Sequence, residues 1–189
     1  MTKKLFAINV ALILILCLSL TVCATSWNTY VLRVEQEKDQ WCWAASAEMV
    51  ARNQVSTSLR QGDAVEYLKG TEDDPRPNEP GTMLDCKNAL SYIANYSFSV
   101  IRGSTPLIES ALQTKISSGF PVCAGILWSS GGGHMVVLDK YTDTTSLVRV
   151  VDPWFNCTEK IEYEYDDLIN GVFMGSATGT WAEYCTRYS

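Results

Sequence analysis

One cysteine of the chain, Cys42, lies in a context that suits a nucleophile. It follows Trp41 at the start of residues 41–54, which are rich in Ala, Met and Glu and contain no Gly or Pro, so this segment predicts a helix. Asp39 just ahead is a candidate N-cap. Unpaired backbone N–H groups and the helix dipole favour negative charge in a first turn, and the thiolate is the reactive form of cysteine. The pattern predicts a thiolate nucleophile at Cys42.

A cysteine nucleophile needs a base, and His134 is the only histidine in the chain. It follows three glycines and begins an apolar run over residues 134–141 that predicts a β-strand. An imidazole near Cys42 could take the thiol proton and later give it to a leaving amine. Backbone and side-chain amides, here the N–H of Cys42 and the amide of Gln36, could then donate to the oxyanion.

The imidazole in turn needs an acceptor that orients it, and Asp152 is the candidate. It ends the next predicted strand, residues 146–152, so a hairpin would bring it to the same sheet end as His134. Asp139 and Asp143 are rivals, but they lie on the strand of His134 or in the turn that follows. Trp154, two residues after Asp152, is a candidate to shield the pair from water.

The order of elements along the chain predicts an α+β fold. Ala, Leu and Met at helical spacing predict helices in the first half, and Val- and Ile-rich runs separated by Gly, Ser, Asp and Thr predict strands in the second. The helical N-terminal half is therefore expected to pack on an antiparallel β-sheet C-terminal half, with a cleft between them. The predicted helices are 41–54, 59–69, 83–96 and 106–118, and the predicted strands are 121–127, 134–141, 146–152, 161–165 and 180–184.

The first 24 residues predict a secretory signal peptide. Lys3 and Lys4 precede an uncharged run over residues 5–22, and small residues stand at the expected cleavage site before residue 25. We expect residues 25–189 to form one domain and the protein to be secreted, or located at the cell surface or in the periplasm, with no integral membrane segment after cleavage. A retained membrane anchor is the alternative, since the apolar run is long enough to span a bilayer.

The composition limits the classes of partner and cofactor that are expected. Loss of Lys3 and Lys4 with the signal changes the formal charge from −6 to −8, which argues against nucleic acid as a partner. One histidine and scattered cysteines do not give the usual ligand spacing, so no metal and no cofactor are expected. A peptide or protein substrate and a monomeric state are expected.

Three motifs stand in order along the chain: Gln36-x5-Cys42-Trp43-Ala44-Ala45, Gly131-Gly132-Gly133-His134-Met135-Val136-Val137 and Val151-Asp152-Pro153-Trp154. Together they resemble the motifs of the papain-like cysteine peptidases. The nearest likeness is to the bacterial branch grouped with the AvrRpt2 effector, which is related to the C39-type bacteriocin-leader peptidases. The resemblance implies a papain-like fold, a triad of Cys42, His134 and Asp152, and Gln36 in the oxyanion hole. It favours Gln36 over Gln40, which is expected to be a solvated or cleft-lining residue.

The remaining cysteines predict disulfides. Seven cysteines less two in the signal leave five, and an exported protein meets an oxidising environment. If Cys42 stays unpaired, the other four can form two bridges in three ways, and the sequence does not choose among them. These four are Cys86, Cys123, Cys157 and Cys185.

Together these features predict a secreted cysteine peptidase that hydrolyses peptide bonds through a thioester on Cys42. One alternative is an acyltransferase or deamidase that uses the same triad. Another is a non-catalytic, cystine-stapled extracellular binding domain.

Overall fold

A computed structural model describes residues 24–70, 76–157, 160–174 and 177–189. Within these residues five helices precede or flank an eight-stranded antiparallel sheet. The helices are α1 (Cys42–Gln54), α2 (Gln61–Lys69), α3 (Met83–Ile93), α4 (Glu109–Ser117) and α5 (Tyr165–Asn170). The strands are β1 (Ser26–Asn28), β2 (Val100–Gly103), β3 (Val122–Trp128), β4 (Gly133–Thr142), β5 (Leu147–Val151), β6 (Ile161–Glu164), β7 (Val172–Met174) and β8 (Ala177–Arg187).

The strand order is β2-β8-β3-β4-β5-β6, with β1 paired to β4 and β7 paired to β8. Side chains of successive strand residues point to opposite faces, so each central strand contributes to two apolar cores. On β3, Cys123 belongs to the core that the helices α1–α3 cover, while Ala124 and Ile126 belong to the core on the other face, under α4. The sheet is therefore buried on both sides at its centre.

Helix α1 is the central helix of the helical half. All nine residues from 43 to 51 are buried, which explains why this segment is rich in alanine and apolar residues on every side. Its one acidic residue there, Glu48, is held by Arg52, Arg60 and the backbone N–H of Gln61.

The N-terminus of α1 differs from the prediction. Trp41 occupies the N-cap without a side-chain cap hydrogen bond. The carboxylate of Asp39 accepts a hydrogen bond from Asn78 and does not cap the helix. The first turn of α1 therefore keeps amides that no side chain caps.

The predicted α+β fold is confirmed, with a helical half packed on an antiparallel sheet. The four predicted helices and five predicted strands are all present, with ends shifted by a few residues. The short elements β2, β7 and α5 were not predicted, because they have little periodicity of their own. The predicted signal, apart from Ala24, lies outside the described residues. Among the helices of the described residues, none has the length and apolarity to cross a membrane.

Candidate active site

Cys42 is the first residue of α1, where the structure places it at the wall of an open cavity. It is partly buried and forms no disulfide. The first backbone N–H groups of a helix have no partner inside the helix, and here no side chain caps them. The sulfur therefore lies beside amides that can stabilise negative charge.

His134 and Asp152 meet at one end of the β4–β5 hairpin. Val137 is paired with Val151 across the hairpin, so His134 near the start of β4 and Asp152 just past the end of β5 lie side by side. The Nε2 atom of His134 lies 2.6 Å from Oδ1 of Asp152. With Nε2 engaged in this way, Nδ1 is the ring nitrogen that is left for Cys42.

The electrostatics of this pair follow from its contacts. Burial acts to lower the pKa of His134, but hydrogen bonds with Asp152 and with Cys42 act more strongly in the other direction and raise it to about 9. Burial acts to raise the pKa of Asp152, and the hydrogen bond and charge of His134 overcome this and lower it. At neutral pH the imidazole of His134 is therefore doubly protonated, and it lies between the carboxylate of Asp152 and the sulfur of Cys42.

Two tryptophans enclose the imidazole. Trp128, the last residue of β3, stacks on His134 with ring centroids 6.1 Å apart, and Trp154 meets the ring edge-on at 5.8 Å. His134 is consequently only 8% exposed, although Trp154 itself is 46% exposed. The sequence predicts Trp154 as a shield for the His134–Asp152 pair but does not single out Trp128, for which the one signal is its position at the end of the strand that faces His134.

A second set of contacts, which the sequence does not predict, holds the segment that carries Asp152. Arg33 donates from Nε to the backbone carbonyl of Asp152 at 2.7 Å and also donates to the carbonyl of Trp154. The backbone N–H of Trp154 donates to Oδ1 of Asp152 at 2.8 Å, and the N–H of Gln36 donates to the carbonyl of Pro153 at 2.8 Å. These bonds join the segment before α1 to the Asp152–Trp154 turn, so the elements that carry Cys42 and Asp152 are tied directly.

The three residues line a cavity of about 880 Å³ between the helical half and the sheet. Its walls come from the start of α1, the segment before α3, the strands β3 and β4, and the turn after β5. An open cavity of this size, lined mainly by apolar side chains with a few polar groups, is typical of a ligand-binding site.

Residues 28–186 match the Peptidase_C39 like family. The protein belongs to this family of cysteine peptidases. A search of curated proteins found no match. The family match covers all the elements that build the cavity, so the site described above lies within the domain that defines Peptidase_C39 like proteins.

The rival carboxylates have other partners in this Peptidase_C39 like domain. Asp139 is fully buried and accepts from Arg149 at 2.7 and 2.9 Å and from the N–H of Val31 at 3.1 Å. Asp143 accepts from the N–H of Thr25 at 2.9 Å. Neither approaches the imidazole, and Asp152 is the carboxylate that the structure brings to His134.

The side-chain amide of Gln36 does not face the cavity, although the family resemblance implies a role for it in the oxyanion hole. Its Nε2 donates to the carbonyls of Lys38 at 2.9 Å and Asp39 at 3.0 Å, so both amide hydrogens brace the turn before α1. Its Oε1 is buried without a hydrogen-bond partner among the described residues. Gln36 does not line the cavity, whereas Gln40 does, as the cleft-lining alternative for Gln40 predicted. The oxyanion role of Gln36 stays a prediction, because it requires Nε2 to release one of these bonds.

The cysteines outside the site are arranged differently from the prediction. Cys86, Cys123 and Cys185 form a buried cysteine cluster with their sulfur atoms within 4.8 Å of one another, and Cys157 lines the cavity. The Cys86 and Cys185 sulfurs are 3.7 Å apart, well beyond the roughly 2.05 Å of a disulfide. The two predicted bridges are therefore not formed in this structure. Three of the four cysteines converge on one point, and the fourth, Cys157, lies apart from them at the cavity.

The buried cysteine cluster is also the one group of the described residues whose donor atoms are close enough to hold a metal ion. All three side chains are inaccessible to solvent, and none of them lines the cavity. The candidate active site of this Peptidase_C39 like domain consists of a thiol, an imidazole and a carboxylate.

Proposed function

We propose that the protein hydrolyses peptide bonds through a thioester on Cys42, with His134 as the proton carrier and Asp152 as the group that orients it. One observation carries this proposal: the imidazole of His134 binds Asp152 at 2.6 Å and interacts with Cys42 at the wall of an open cavity. The membership in the Peptidase_C39 like family supports the same reaction class.

In the proposed reaction the Cys42 thiolate attacks the carbonyl carbon of the scissile peptide bond. The carbonyl oxygen becomes an oxyanion, which the backbone N–H of Cys42 can stabilise in the uncapped first turn of α1. The C–N bond then breaks, and the protonated His134 gives its proton to the leaving amine. A thioester remains on Cys42. Water, deprotonated by the neutral imidazole, attacks the thioester and releases the new carboxylate and the thiolate.

Asp152 accepts a hydrogen bond from Nε2 in both protonation states of the ring, so Nδ1 keeps facing the sulfur. We propose that Gln36 contributes to the oxyanion site only after Nε2 leaves the carbonyl of Lys38 or Asp39. Until it does, its bonds shape the turn that leads into α1.

The test is turnover of a peptide mixture by the wild type and by Cys42→Ala and His134→Ala. Both variants should lose activity while keeping the circular dichroism and melting temperature of a folded protein. An epoxide inhibitor of thiol proteases should add one label to the wild type and to Cys157→Ala, and none to Cys42→Ala. Full turnover by Cys42→Ala would end the proposal.

The same three residues support a second candidate reaction. The thioester can pass its acyl group to an amine, or the attack can fall on a side-chain amide, as in an acyltransferase or deamidase. Ammonia release without chain cleavage, measured by mass spectrometry of the products, would favour this candidate. A non-catalytic binding domain is less well supported, because Cys42 forms no disulfide and lies at the cavity wall.

We further propose that residues 1–24 are a cleaved signal, that the domain acts outside the cytoplasm as a monomer, and that it is related to the AvrRpt2-type branch. The basic and apolar pattern of residues 3–22 supports the signal. The N-terminal sequence of the protein recovered from the culture medium tests cleavage and export together. Light scattering of the purified domain tests the monomeric state.

A further inference from the structure

The cavity continues past His134 along the sheet toward β8, where it contains one carboxylate that the proposed reaction does not use. Among the described residues, the cavity lining includes Asp39, Asp152 and Glu183 but neither lysine nor arginine. Asp152 is bound to His134, and Asp39 accepts from Asn78. The carboxylate of Glu183 has no hydrogen bond or ion pair with any described residue. It is therefore available to accept a hydrogen bond from a ligand.

Glu183 reaches the cavity by the regular alternation of β8, because it lies two residues from Cys185, which belongs to the core under α1–α3. Glu183 is paired with Gly125 of β3, but the next pair is Ile126 with Trp181, so one extra residue of β8 interrupts the register. Residues two apart on a regular strand share a face. Here Trp181 packs in the core on the far face, whereas Glu183 lines the cavity. The bulge therefore turns Trp181 away from the cavity face and leaves Glu183 on it, and bulges are common next to active sites.

Glu183 lies close to the reacting groups of the proposed site. Gly125 is paired with Glu183 on one side and with Met135, the neighbour of His134, on the other. Two strand spacings separate Glu183 from Met135, about 10 Å between their Cα atoms. A side chain one or two residues from the scissile bond of an extended peptide can span this range, since consecutive residues are about 3.3 Å apart.

The part of the cavity between Glu183 and the helical half is unoccupied by side chains because residue 125 is glycine. A Cβ atom at this position would lie 3.1 Å from Cε of Met83 and 3.6 Å from Cβ of Glu183. Any side chain here would therefore fill the space between an apolar wall and a carboxylate. Lysine and arginine pack their methylene stems on apolar surface and place a charged head in a polar environment, which is the combination that this space provides.

We propose that Glu183 is the specificity-determining residue of a subsite, formed with Met83 and Gly125, that selects a lysine or arginine side chain near the scissile bond. The inference rests on the proposed peptidase function. Binding forms a charge-assisted hydrogen bond with a carboxylate that has no partner in the part of the chain that the structure describes, where no lysine or arginine lines the cavity to compete for it.

The experiment compares matched peptides that differ only at one position, with Arg or Gln there, scanned over the positions on both sides of the cleaved bond. The measured quantity is the ratio of kcat/KM for the Arg peptide to that for the Gln peptide. This ratio does not depend on the fraction of folded enzyme, so partial misfolding of a variant does not change it. We expect the wild type to prefer Arg at one position, and Glu183→Gln to lower the ratio there by about 10- to 100-fold.

Two further variants sharpen the result. Glu183→Lys should invert the preference, so that a Glu peptide is cleaved faster than the Arg peptide. Glu164→Gln makes the same change of charge at an exposed residue that does not line the cavity, and its ratio should equal that of the wild type.

The outcomes separate this inference from the proposed function. Peptide cleavage with no Arg preference, or with a preference that Glu183→Gln leaves intact, overturns the inference and leaves the peptidase proposal standing. An equal loss toward Arg and Gln peptides in Glu183→Gln also overturns it, because Glu183 would then act on the fold or the chemistry. If no peptide is cleaved and Cys42 is not labelled by the epoxide, the proposed function itself fails.

Discussion

Replacing Asp152 with Asn should lower the pKa of His134, because it removes the carboxylate charge and keeps the shape of the side chain. The His134 pKa of about 9 exceeds the ordinary value of 6.5. This difference corresponds to about 3 kcal/mol in favour of the protonated ring. Without the charge, burial still disfavours the imidazolium and only Cys42 still supports it. We expect the pKa to fall by about 1–3, and kcat/KM to fall by about 10²- to 10⁴-fold because the ring is no longer correctly oriented and protonated.

The assay uses the fact that His134 is the only histidine in the chain. NMR of protein labelled with ¹³C-histidine gives one ring resonance, and its pH titration gives the pKa without an assignment problem. Asp143→Asn, at the other end of the same hairpin, is the matched control and should leave the midpoint near that of the wild type. A midpoint that stays near 9 in Asp152→Asn would refute the reasoning.

The same shift makes a prediction for stability. The folded-state pKa of His134 lies above its unfolded value, so its contribution is fully present below about pH 6.5 and is lost as the pH rises through about 9. The free energy of unfolding of the wild type should therefore lose up to about 3 kcal/mol over this window in urea titrations. In Asp152→Asn the loss should be smaller. The pKa of Asp152 is lowered, so its own contribution is present above about pH 3.9 and is lost in more acidic solution.

Three further predictions follow from contacts outside the triad. Iodoacetamide should modify Cys42 in the native protein, whereas the buried cysteine cluster should react only after unfolding; peptide mapping that finds a cluster cysteine modified under native conditions would contradict its burial. Arg149→Leu should lower the free energy of unfolding by about 3 kcal/mol, because it leaves the buried carboxylate of Asp139 with fewer cationic partners, and an unchanged urea midpoint would show that the pair is dispensable. Gly133→Ala should lower both the free energy of unfolding and the peptidase activity, since the new Cβ would lie 2.6 Å from a backbone oxygen of β3. As a control, Gly131→Ala meets open space and should lower the free energy of unfolding by only about 1 kcal/mol, because of its positive φ.

Much of the fold follows from local patterns in the sequence. The helical spacing of apolar residues in the first half and the short β-rich runs in the second predict the main elements, because these periodicities depend only on the geometry of a helix or strand. The strands that were not predicted, β2 and β7, are short, and they form because the long strand β8 offers them an edge. The pairing partner of β2 lies far away in the sequence, as with Val100 and Arg187.

The candidate site divides in the same way. The contact of His134 with Asp152 could be predicted, because a hairpin places the start of one strand beside the end of the next. The contacts of Arg33 with the Asp152–Trp154 turn could not, because they join segments more than a hundred residues apart. The orientation of the Gln36 amide was also out of reach, because it depends on the exact path of the turn before α1.

By itself, the sequence determined which residues are candidates for the catalytic chemistry. It contains one histidine, one cysteine at the start of a central helix and one aspartate at the matching end of a hairpin, and these depend on residue identity and local geometry alone. The tertiary structure decided which groups meet. It brings Cys42 to His134 across the two halves, gathers three cysteines at one point where two bridges were expected, and places Glu183 at the cavity on the strand next to β3. These arrangements depend on how distant strands and helices pack, and no local pattern encodes the register of that packing.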